Sequence, residues 1–290
     1  MSVVSTVGAW LERIADRLRL LSETAVLDAQ VLLAHLLDRT RTWIAAHPEI
    51  ELSPSQEETL SSYLRRLEQG EPLPYLLGYW EFYGRRFEIT PQVLIPRPET
   101  ELMVERALNW LRHQPKRRRA ADVGTGSGCI AVSLAAEMKD LQVLATDISL
   151  PALRVAQRNA RKHGVEARVH LLQCDLLPPH PLDLSPAQRF DVICANLPYL
   201  PSALLSQLPV ARYEPLLALN GGQDGLEVIR RFLYLVPGWV APGGLILLEI
   251  EASQGAQALS SAYDVFSAAR IHLHPDLAGR DRLLEIRVRE

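Results

Sequence analysis

The chain has 290 residues and a formal net charge of -3, and 48% of its residues are hydrophobic. At about 150 residues per domain this length predicts two domains, and the composition excludes a disordered chain. No apolar run approaches the roughly 18 residues needed to cross a bilayer, so we expect no membrane association. The near-neutral charge disfavours a protein that coats nucleic acid regardless of its sequence.

Three cysteines, Cys129, Cys174 and Cys194, indicate the compartment in which the protein works. They are odd in number, widely spaced and set among apolar neighbours, which excludes a framework of disulfides. Such cysteines behave as small buried hydrophobes and persist in a reducing environment. We therefore expect a cytoplasmic protein.

Residues 1–75 show the apolar spacing of a small helical bundle, with side chains recurring every three or four residues. Ser53-Pro54-Ser55-Gln56 offers a capping hydroxyl, a proline for the first turn and a glutamine three residues on, and Gly70 ends that helix. We predict a helical domain here. The residues assigned to its buried faces are Trp10, Leu11, Ile14, Leu18, Leu21, Leu32, Leu33, Leu36 and Leu37.

Residues 76–98 join this bundle to the rest of the chain. Short alternating runs at 79–83 and 86–90 flank Gly84, as expected of a β-hairpin. We therefore predict a hairpin linker, followed by a second domain over residues 99–290.

Strand-like and helix-like segments alternate over residues 99–290, which is typical of a parallel sheet with helices on both faces. We predict an α/β fold with a doubly wound, mostly parallel, seven-stranded sheet. The last two strands are separated by a loop too short for a crossover helix, so they are expected to pair antiparallel. The predicted strands are 120–123, 142–146, 168–172, 190–195, 245–251, 270–274 and 283–288.

A glycine-rich turn, Gly124-Thr125-Gly126-Ser127-Gly128, follows the first of these strands. Open α/β sheets bind ligands at such strand ends. The glycines permit a sharp turn and let a ligand lie against the backbone. The turn lacks the Gly-Lys-Ser/Thr of a phosphate loop and the last glycine spacing of the dinucleotide fingerprint, so it favours a ligand without phosphates.

Acidic residues follow the next two strands at the same edge. Asp147 is placed to accept hydrogen bonds from both hydroxyls of a ribose. Asp175 is placed to meet the exocyclic amine of an adenine, with Leu176 covering the ring. Each aspartate alone is equally typical of a helix cap or a turn. Together with Asp122 beside the glycine turn, they indicate a ligand site.

Asn196-Leu197-Pro198-Tyr199 follows the fourth strand at the same rim. It resembles the Asn-Pro-Pro-Tyr signature of methyltransferases that act on planar or amide nitrogens using S-adenosylmethionine. The resemblance implies that the Asn196 side-chain oxygen and the next backbone carbonyl accept the two N–H bonds of the target, while the tyrosine ring packs on the flat group. Fixed acceptors orient a weakly nucleophilic amide nitrogen and favour the charge that develops on it.

The resemblance extends over nearly the whole chain. Matching segments include Glu71-Pro72, Glu81-Phe82-Tyr83-Gly84, Leu94-Ile95-Pro96-Arg97-Pro98-Glu99-Thr100-Glu101, Tyr213-Glu214-Pro215, Gly221-Gly222 and Asp276-Leu277-Ala278-Gly279-Arg280-Asp281-Arg282. The chain resembles the peptide chain release factor glutamine methyltransferases (PrmC or HemK), which are Rossmann-like class I enzymes. This implies S-adenosylmethionine as cofactor and methylation of the Gly-Gly-Gln glutamine of release factors. It also implies that the helical N-terminal domain helps to hold the release factor.

The family's functional residues carry over by position. The methyl-donor site falls on Gly124, Thr125, Gly126, Ser127, Gly128, Asp147, Asp175, Leu176 and Asn196, and the glutamine site on Asn196, Leu197, Pro198 and Tyr199. Leu197 departs from the family, which usually has proline there, so a carbonyl remains but the turn is less constrained. No metal site is expected, because His272 and His274 lack a third ligand in register.

Other functions stay open at this point. A glutamine methyltransferase of a ribosomal protein shares the catalytic turn. A nucleic-acid adenine or guanine methyltransferase would use the turn on a flipped base, although the charge of -3 disfavours it. The glycine spacing disfavours a nicotinamide oxidoreductase, and a binding module without catalysis would require that Leu197 disable the turn. We expect a monomer that forms no stable complex with nucleic acid.

Overall fold

The computed structural model describes residues 5–178, 185 and 188–290. The chain divides into two compact units, Met1–Gly78 and Tyr79–Glu290. In the described part of the first unit there are five helices. The helices are α1 (Val7–Leu18), α2 (Ala25–Leu37), α3 (Arg41–Ala46), α4 (Pro54–Glu68) and α5 (Leu73–Leu77). Ile14, Leu32 and Leu60 are fully buried on the facing sides of α1, α2 and α4. The predicted helical character of this region is confirmed.

Local sequence signals set the helix ends in this unit. Ser53 and Gln56 form the predicted capping box, with the Gln56 amide donating to Ser53 Oγ at 3.3 Å and the Ser53 amide donating to Gln56 Oε1 at 2.9 Å. The prediction for Leu21 is wrong, because α1 ends at Leu18. Leu21 lies in the turn that follows, 58% exposed, with its amide donating to the Leu18 carbonyl.

A two-stranded hairpin opens the second unit, with β1 (Tyr79–Phe82) paired antiparallel to β2 (Arg85–Glu88). Tyr83 and Gly84 connect the strands with φ of 49° and 67°. Two consecutive left-handed residues make the turn whose twist suits a hairpin. The domain limits predicted at residues 75 and 98, and the tasks assigned to those domains, remain predictions.

The main sheet consists of β3 (Arg119–Val123), β4 (Gln142–Asp147), β5 (Val169–Gln173), β6 (Phe190–Ala195), β7 (Val240–Glu249), β8 (Arg270–Pro275) and β9 (Asp281–Arg287). The strand order in the described part of the chain is β5-β4-β3-β6-β7-β9-β8. The first five in this order run parallel, and β9 pairs antiparallel with both β7 and β8. The predicted fold class and the antiparallel pairing of the last two strands are confirmed.

Helices cover the sheet and bury its strands. They are α6 (Glu101–Arg112), α7 (Cys129–Glu137), α8 (Leu150–Lys162), α11 (Glu227–Leu235) and α12 (Gly255–Val265). The short helices α9 (Ser202–Leu205) and α10 (Leu216–Leu219) lie in the connection between β6 and α11. Ala121, Ile193 and Ile246 on the central strands are fully buried, as expected of a parallel sheet packed on both faces. Among the described residues, none of the helices combines the length and apolarity that crossing a bilayer requires.

Strand β7 begins at Val240, five residues before the predicted start at Leu245. Pro242, Gly243 and Gly244 interrupt the apolar pattern there, and these residue types weaken a strand signal. The pairing of β7 with β6 also shifts register between Phe190 and Val192. The strand therefore passes through an irregular segment that periodicity alone reads as a loop.

Candidate active site

The predicted site residues lie at the carboxyl edge of the sheet, and the glycine turn and the Asn196 turn follow the neighbouring parallel strands β3 and β6. Strands β4 and β5 follow on one side of β3, whereas β6 and β7 lie on the other, so the order reverses at this point. Ligands of open α/β sheets bind at such a reversal. A methyl group placed on Gly124 would lie 3.2 Å from Leu197 Cδ2, so the glycine turn and the Asn196 turn are in direct contact.

The glycine turn is held down by backbone hydrogen bonds. The amides of Gly124 and Thr125 donate to the Thr146 carbonyl at 2.9 and 2.8 Å. Gly128, with φ of 80°, packs against α8, because an added methyl would meet Ala156 Cβ at 3.0 Å. Gly126, with φ of 55°, has nothing within 4 Å of that position. Gly126 therefore presents open space, whereas Gly128 serves close packing.

Asp122, at the end of β3, forms hydrogen bonds that fix the glycine turn. Its Oδ2 accepts from the Thr125 hydroxyl at 2.6 Å and from the Ala131 amide at 3.0 Å. Burial raises the pKa of Asp122 to about 6, partly opposed by these bonds. In the described part of the chain its Oδ1 is buried without a hydrogen-bond partner. Thr125 and Asp122 therefore shape the turn rather than line open space.

Asp147 ends β4 beside the turn and is half-buried. Its Oδ2 accepts from the Gly126 amide at 2.9 Å and its Oδ1 from the Ser149 amide at 2.8 Å. Burial raises the pKa of Asp147, and these amides oppose the rise. A carboxylate oxygen has two lone pairs, so each oxygen keeps one acceptor position. The arrangement suits a ligand with two adjacent hydroxyls.

Asp175 and Leu176 follow β5 at the same edge. Asp175 is exposed and forms an ion pair with Arg231 on α11. Leu176 is buried with φ of 61°, a conformation that costs energy for a branched residue, and its carbonyl accepts from the Thr146 hydroxyl at 2.6 Å. The strained turn directs Leu176 inward beside β4.

Asn196 begins the turn after β6 and takes part in a buried polar network. Its Nδ2 donates to Thr100 Oγ1 at 3.0 Å, and that hydroxyl donates to Glu249 Oε2 at 2.7 Å. The Tyr199 hydroxyl points at Glu249 Oε1 from 3.5 Å. Burial raises the pKa of Glu249 to about 7 and raises the pKa of Tyr199 far above its ordinary range.

A second loop, residues 219–225, supports the Asn196 turn from outside. The Leu200 amide donates to the Leu219 carbonyl at 3.0 Å, and the Gly221 amide donates back to the Leu200 carbonyl at 2.8 Å. A methyl group on Gly221 would lie 2.8 Å from the Pro198 carbonyl. The backbone approach is so close that only glycine fits.

Several residues of the site carry no local sequence signal. Asn159 on α8 is fully buried, with Nδ2 donating to the Ser127 carbonyl at 2.9 Å and to the Glu88 carbonyl at 3.0 Å. Gln254 donates to the Tyr199 carbonyl at 2.9 Å. Thr100 and Glu249 were likewise not assigned from the sequence. Two signals could have found them: Thr100 lies in the family-matching segment 94–101, and Glu249 is a carboxylate within an apolar strand.

The matching segments around Arg97 and Glu214 also meet in the structure. Buried Glu214 accepts from the Ile95 amide at 3.1 Å and pairs with Arg97 at 2.7 Å. The histidines of β8 lie elsewhere, where His274 contacts Glu285 at 3.0 Å. Among the described residues, no group of three potential ligands is arranged to hold a metal.

Comparison with known proteins agrees with this architecture. The family model described as the methyltransferase small domain matches residues 100–205. A methyltransferase from Pyrococcus furiosus superimposes with a TM-score of 0.51 at 16% identity, covering 79% of this chain and all of that one, a likeness of fold alone. The strand order and the glycine turn at the reversal point, together with the family-model match, define the class I methyltransferase fold.

The PrmC N-terminal domain model matches residues 9–78. Release factor glutamine methyltransferase of Moorella thermoacetica is 45% identical over 88% of this chain and 89% of its own length, and that of Coxiella burnetii is 36% identical over 95% and 96%. The chain therefore belongs to the release factor glutamine methyltransferase family. The resemblance carried by the sequence motifs is confirmed.

Proposed function

We propose that this protein transfers a methyl group from S-adenosylmethionine to the side-chain amide nitrogen of a glutamine, in the Gly-Gly-Gln motif of peptide chain release factors. The observation that carries the proposal is the contact between the Asn196 turn and the glycine turn at the point where the strand order reverses. The relatives of the chain are named release factor glutamine methyltransferases. An amide-binding turn and a nucleoside-binding edge then share one ligand space.

The residues at the edge fit S-adenosylmethionine. Gly126 opens onto free space, and Asp147 keeps two acceptor positions for the ribose hydroxyls. Asp175 and Leu176 are proposed to meet the adenine, with Asp175 then exchanging its ion pair with Arg231 for the adenine amine. In the sheet order, the strand that leads into Gly124 lies between the strands that lead into Asp175 and Asn196. When bound, this cofactor supplies an electrophilic methyl group on a sulfonium centre. Thr125, Ser127 and Gly128 support the proposal indirectly, because they shape the turn.

The Asn196 turn is proposed to hold the target amide. Asn196 Oδ1 accepts one N–H of the glutamine and the Leu197 carbonyl accepts the other, while the ring of Tyr199 packs on the amide plane. These acceptors hold the nitrogen lone pair in one direction and stabilise positive charge that develops on that nitrogen. Pro198 maintains the extended backbone that places the two acceptors side by side.

Specificity and location follow from the same features. Residues 1–75 are proposed to recognise the release factor, and their match to the PrmC N-terminal model favours this over a ribosomal-protein or nucleic-acid substrate. Cys129, Cys174 and Cys194 are free thiols, which supports a cytoplasmic location. The monomeric state and the lack of stable nucleic-acid and membrane binding remain predictions.

Mass spectrometry of methylated substrates tests the proposal. The protein is incubated with isotopically labelled S-adenosylmethionine and a purified release factor, in parallel with ribosomal proteins and with RNA and DNA. We expect one labelled methyl group on the Gly-Gly-Gln glutamine, and none on a release factor whose motif glutamine is replaced by alanine. Label in a ribosomal protein or in nucleic acid, with none in the release factor, would overturn the assignment.

A further inference from the structure

A buried hydrogen-bond chain connects the catalytic turn to the end of β7. It runs from Asn196 Nδ2 to Thr100 Oγ1 over 3.0 Å and from the Thr100 hydroxyl to Glu249 Oε2 over 2.7 Å. Thr100 is 2% exposed and Glu249 is 1% exposed, so water does not compete for these bonds. The three residues come from three separate elements that tertiary packing brings together.

The chemistry of these three groups decides which atom donates and which accepts in each hydrogen bond. An ionised carboxylate accepts hydrogen bonds but donates none, so Thr100 must donate its single proton to Glu249. Thr100 Oγ1 then has only lone pairs left for Asn196. The Asn196 amide must turn its NH2 group toward Thr100, which leaves Oδ1 in the same plane on the other edge of the amide, directed away from Thr100.

We propose that Thr100 and Glu249 are positioning residues that fix the amide orientation of Asn196, so that its Oδ1 faces the glutamine to be methylated. This inference rests on the proposed function. Neither residue touches the substrate; both act through Asn196. With the amide reversed, Asn196 would present N–H groups to the N–H groups of the target, and the site would lose its acceptor.

Protonation of Glu249 allows the donor and acceptor roles in these hydrogen bonds to reverse. A neutral carboxyl can donate to Thr100, and the Thr100 hydroxyl can then donate to Asn196 Oδ1, which allows the reversed amide. Burial raises the pKa of Glu249 to about 7, so the change falls within an accessible pH range. The groups whose charges act on Glu249 are Arg282 of β9, Glu99 before α6 and Tyr199 of the catalytic turn.

Matched substitutions at Thr100 test the role through activity. Thr100→Val keeps the shape but removes the hydroxyl, so we expect kcat to fall about tenfold while donor affinity stays within twofold. Thr100→Ser keeps the hydroxyl and should retain most of the activity. Wild-type kcat in Thr100→Val, or equal losses in the two variants, would overturn the proposal. Thermal unfolding verifies that each variant is folded.

The pH dependence of kcat provides a second test, which does not require that Thr100→Val folds. Wild-type kcat should rise with pH through about 7, where Glu249 ionises. Glu249→Gln has no proton to lose, so its kcat should be flat over the same range. A wild-type profile that Glu249→Gln reproduces would contradict the proposal.

Nuclear magnetic resonance separates this inference from the proposed function. The asparagines of the sequence are Asn109, Asn159, Asn196 and Asn220, so selective 15N labelling gives few side-chain signals, and Asn196→Ala assigns the relevant one. We expect its NH2 shifts to titrate near pH 7 in the wild type and to stay constant in Glu249→Gln. Constant shifts in the wild type overturn the inference, whether or not a release factor is methylated.

Discussion

At the scale of single residues, Asp147 bears most directly on cofactor binding. Its carboxylate already accepts from two backbone amides and keeps one acceptor position on each oxygen. Charge-assisted hydrogen bonds are stronger than neutral ones, so a pair of ribose hydroxyls gains considerably from this group. The carboxylate fixes the shape of the edge, and we expect it also to contribute to the affinity for the ligand.

Asp147→Ala should weaken S-adenosylmethionine binding by about 2 to 4 kcal/mol, because two charge-assisted hydrogen bonds are lost. Isothermal titration calorimetry measures the change. Asp140→Ala is the matched control, since Asp140 is an exposed acid at the other end of β4, paired with Arg118. Equal donor affinity in Asp147→Ala and the wild type would remove Asp147 from the site.

Glu249 also couples stability to pH. Its pKa is about 7 in the folded chain against an ordinary 4.5, so the folded state keeps a proton that the unfolded state releases between these values. Stability should therefore decrease as pH rises through this window, by about 3 kcal/mol from this group. Urea denaturation at several pH values should show a smaller decrease for Glu249→Gln. Asp122 contributes at lower pH and is common to both proteins. Parallel stability curves would contradict the assignment.

At the scale of elements, loop 219–225 packs against the Asn196 turn and restricts its backbone. Gly225, with φ of 79°, lies so close to this turn that an added methyl would overlap the Tyr199 carbonyl and would approach Gln254 Nε2 to 2.6 Å. The turn therefore owes its shape to a neighbouring loop as well as to its own residues. We expect this support to restrict the turn even though residue 197 is leucine.

Gly225→Ala should slow methylation on the order of tenfold to a hundredfold, because the Tyr199 carbonyl must shift and misplace the turn. Gly164→Ala is the matched control. Gly164 has φ of 65° but nothing within 4 Å of the added methyl. Both substitutions cost about 1 kcal/mol of backbone strain, but only the first should change kcat in steady-state assays. Similar kinetics for the two variants would show that the loop does not support the turn.

Elements whose determinants are local could be predicted from the sequence. The capping box at Ser53, the hairpin at Gly84 and the strand that leads into Asn196 all lie where their patterns indicate. Thr100 could not be assigned, because its partners Asn196 and Glu249 are 96 and 149 residues away and meet it only through the sheet. Leu21 shows the converse error, since a periodic apolar pattern does not reveal where the helix ends.

At the scale of the whole molecule, the chain divides into two compact units, to which we assign different tasks. The proposed donor and amide sites lie entirely in Tyr79–Glu290, whereas Met1–Gly78 has its own buried core. We expect the sheet to stay folded when a unit with its own core is removed. The first unit is therefore expected to contribute recognition of the release factor.

Removing Met1–Gly78 should raise the KM for the release factor while donor affinity is retained, because the residues proposed to bind the donor all lie in the second unit. Steady-state kinetics with intact release factor, together with calorimetry for the donor, measure the two quantities separately. An unchanged KM would assign the first unit a different task.

Asn196 connects all three scales, since one side chain is proposed to orient the substrate amide in a site built by distant elements. Single-turnover methylation of a release factor by Asn196→Ala, with saturating S-adenosylmethionine, tests this most directly. Removing one preorganised polar contact typically costs about 2.7 to 4 kcal/mol in the barrier. We predict a rate roughly a hundredfold to a thousandfold below the wild type with donor affinity reduced much less. Methylation at the wild-type rate would contradict the account.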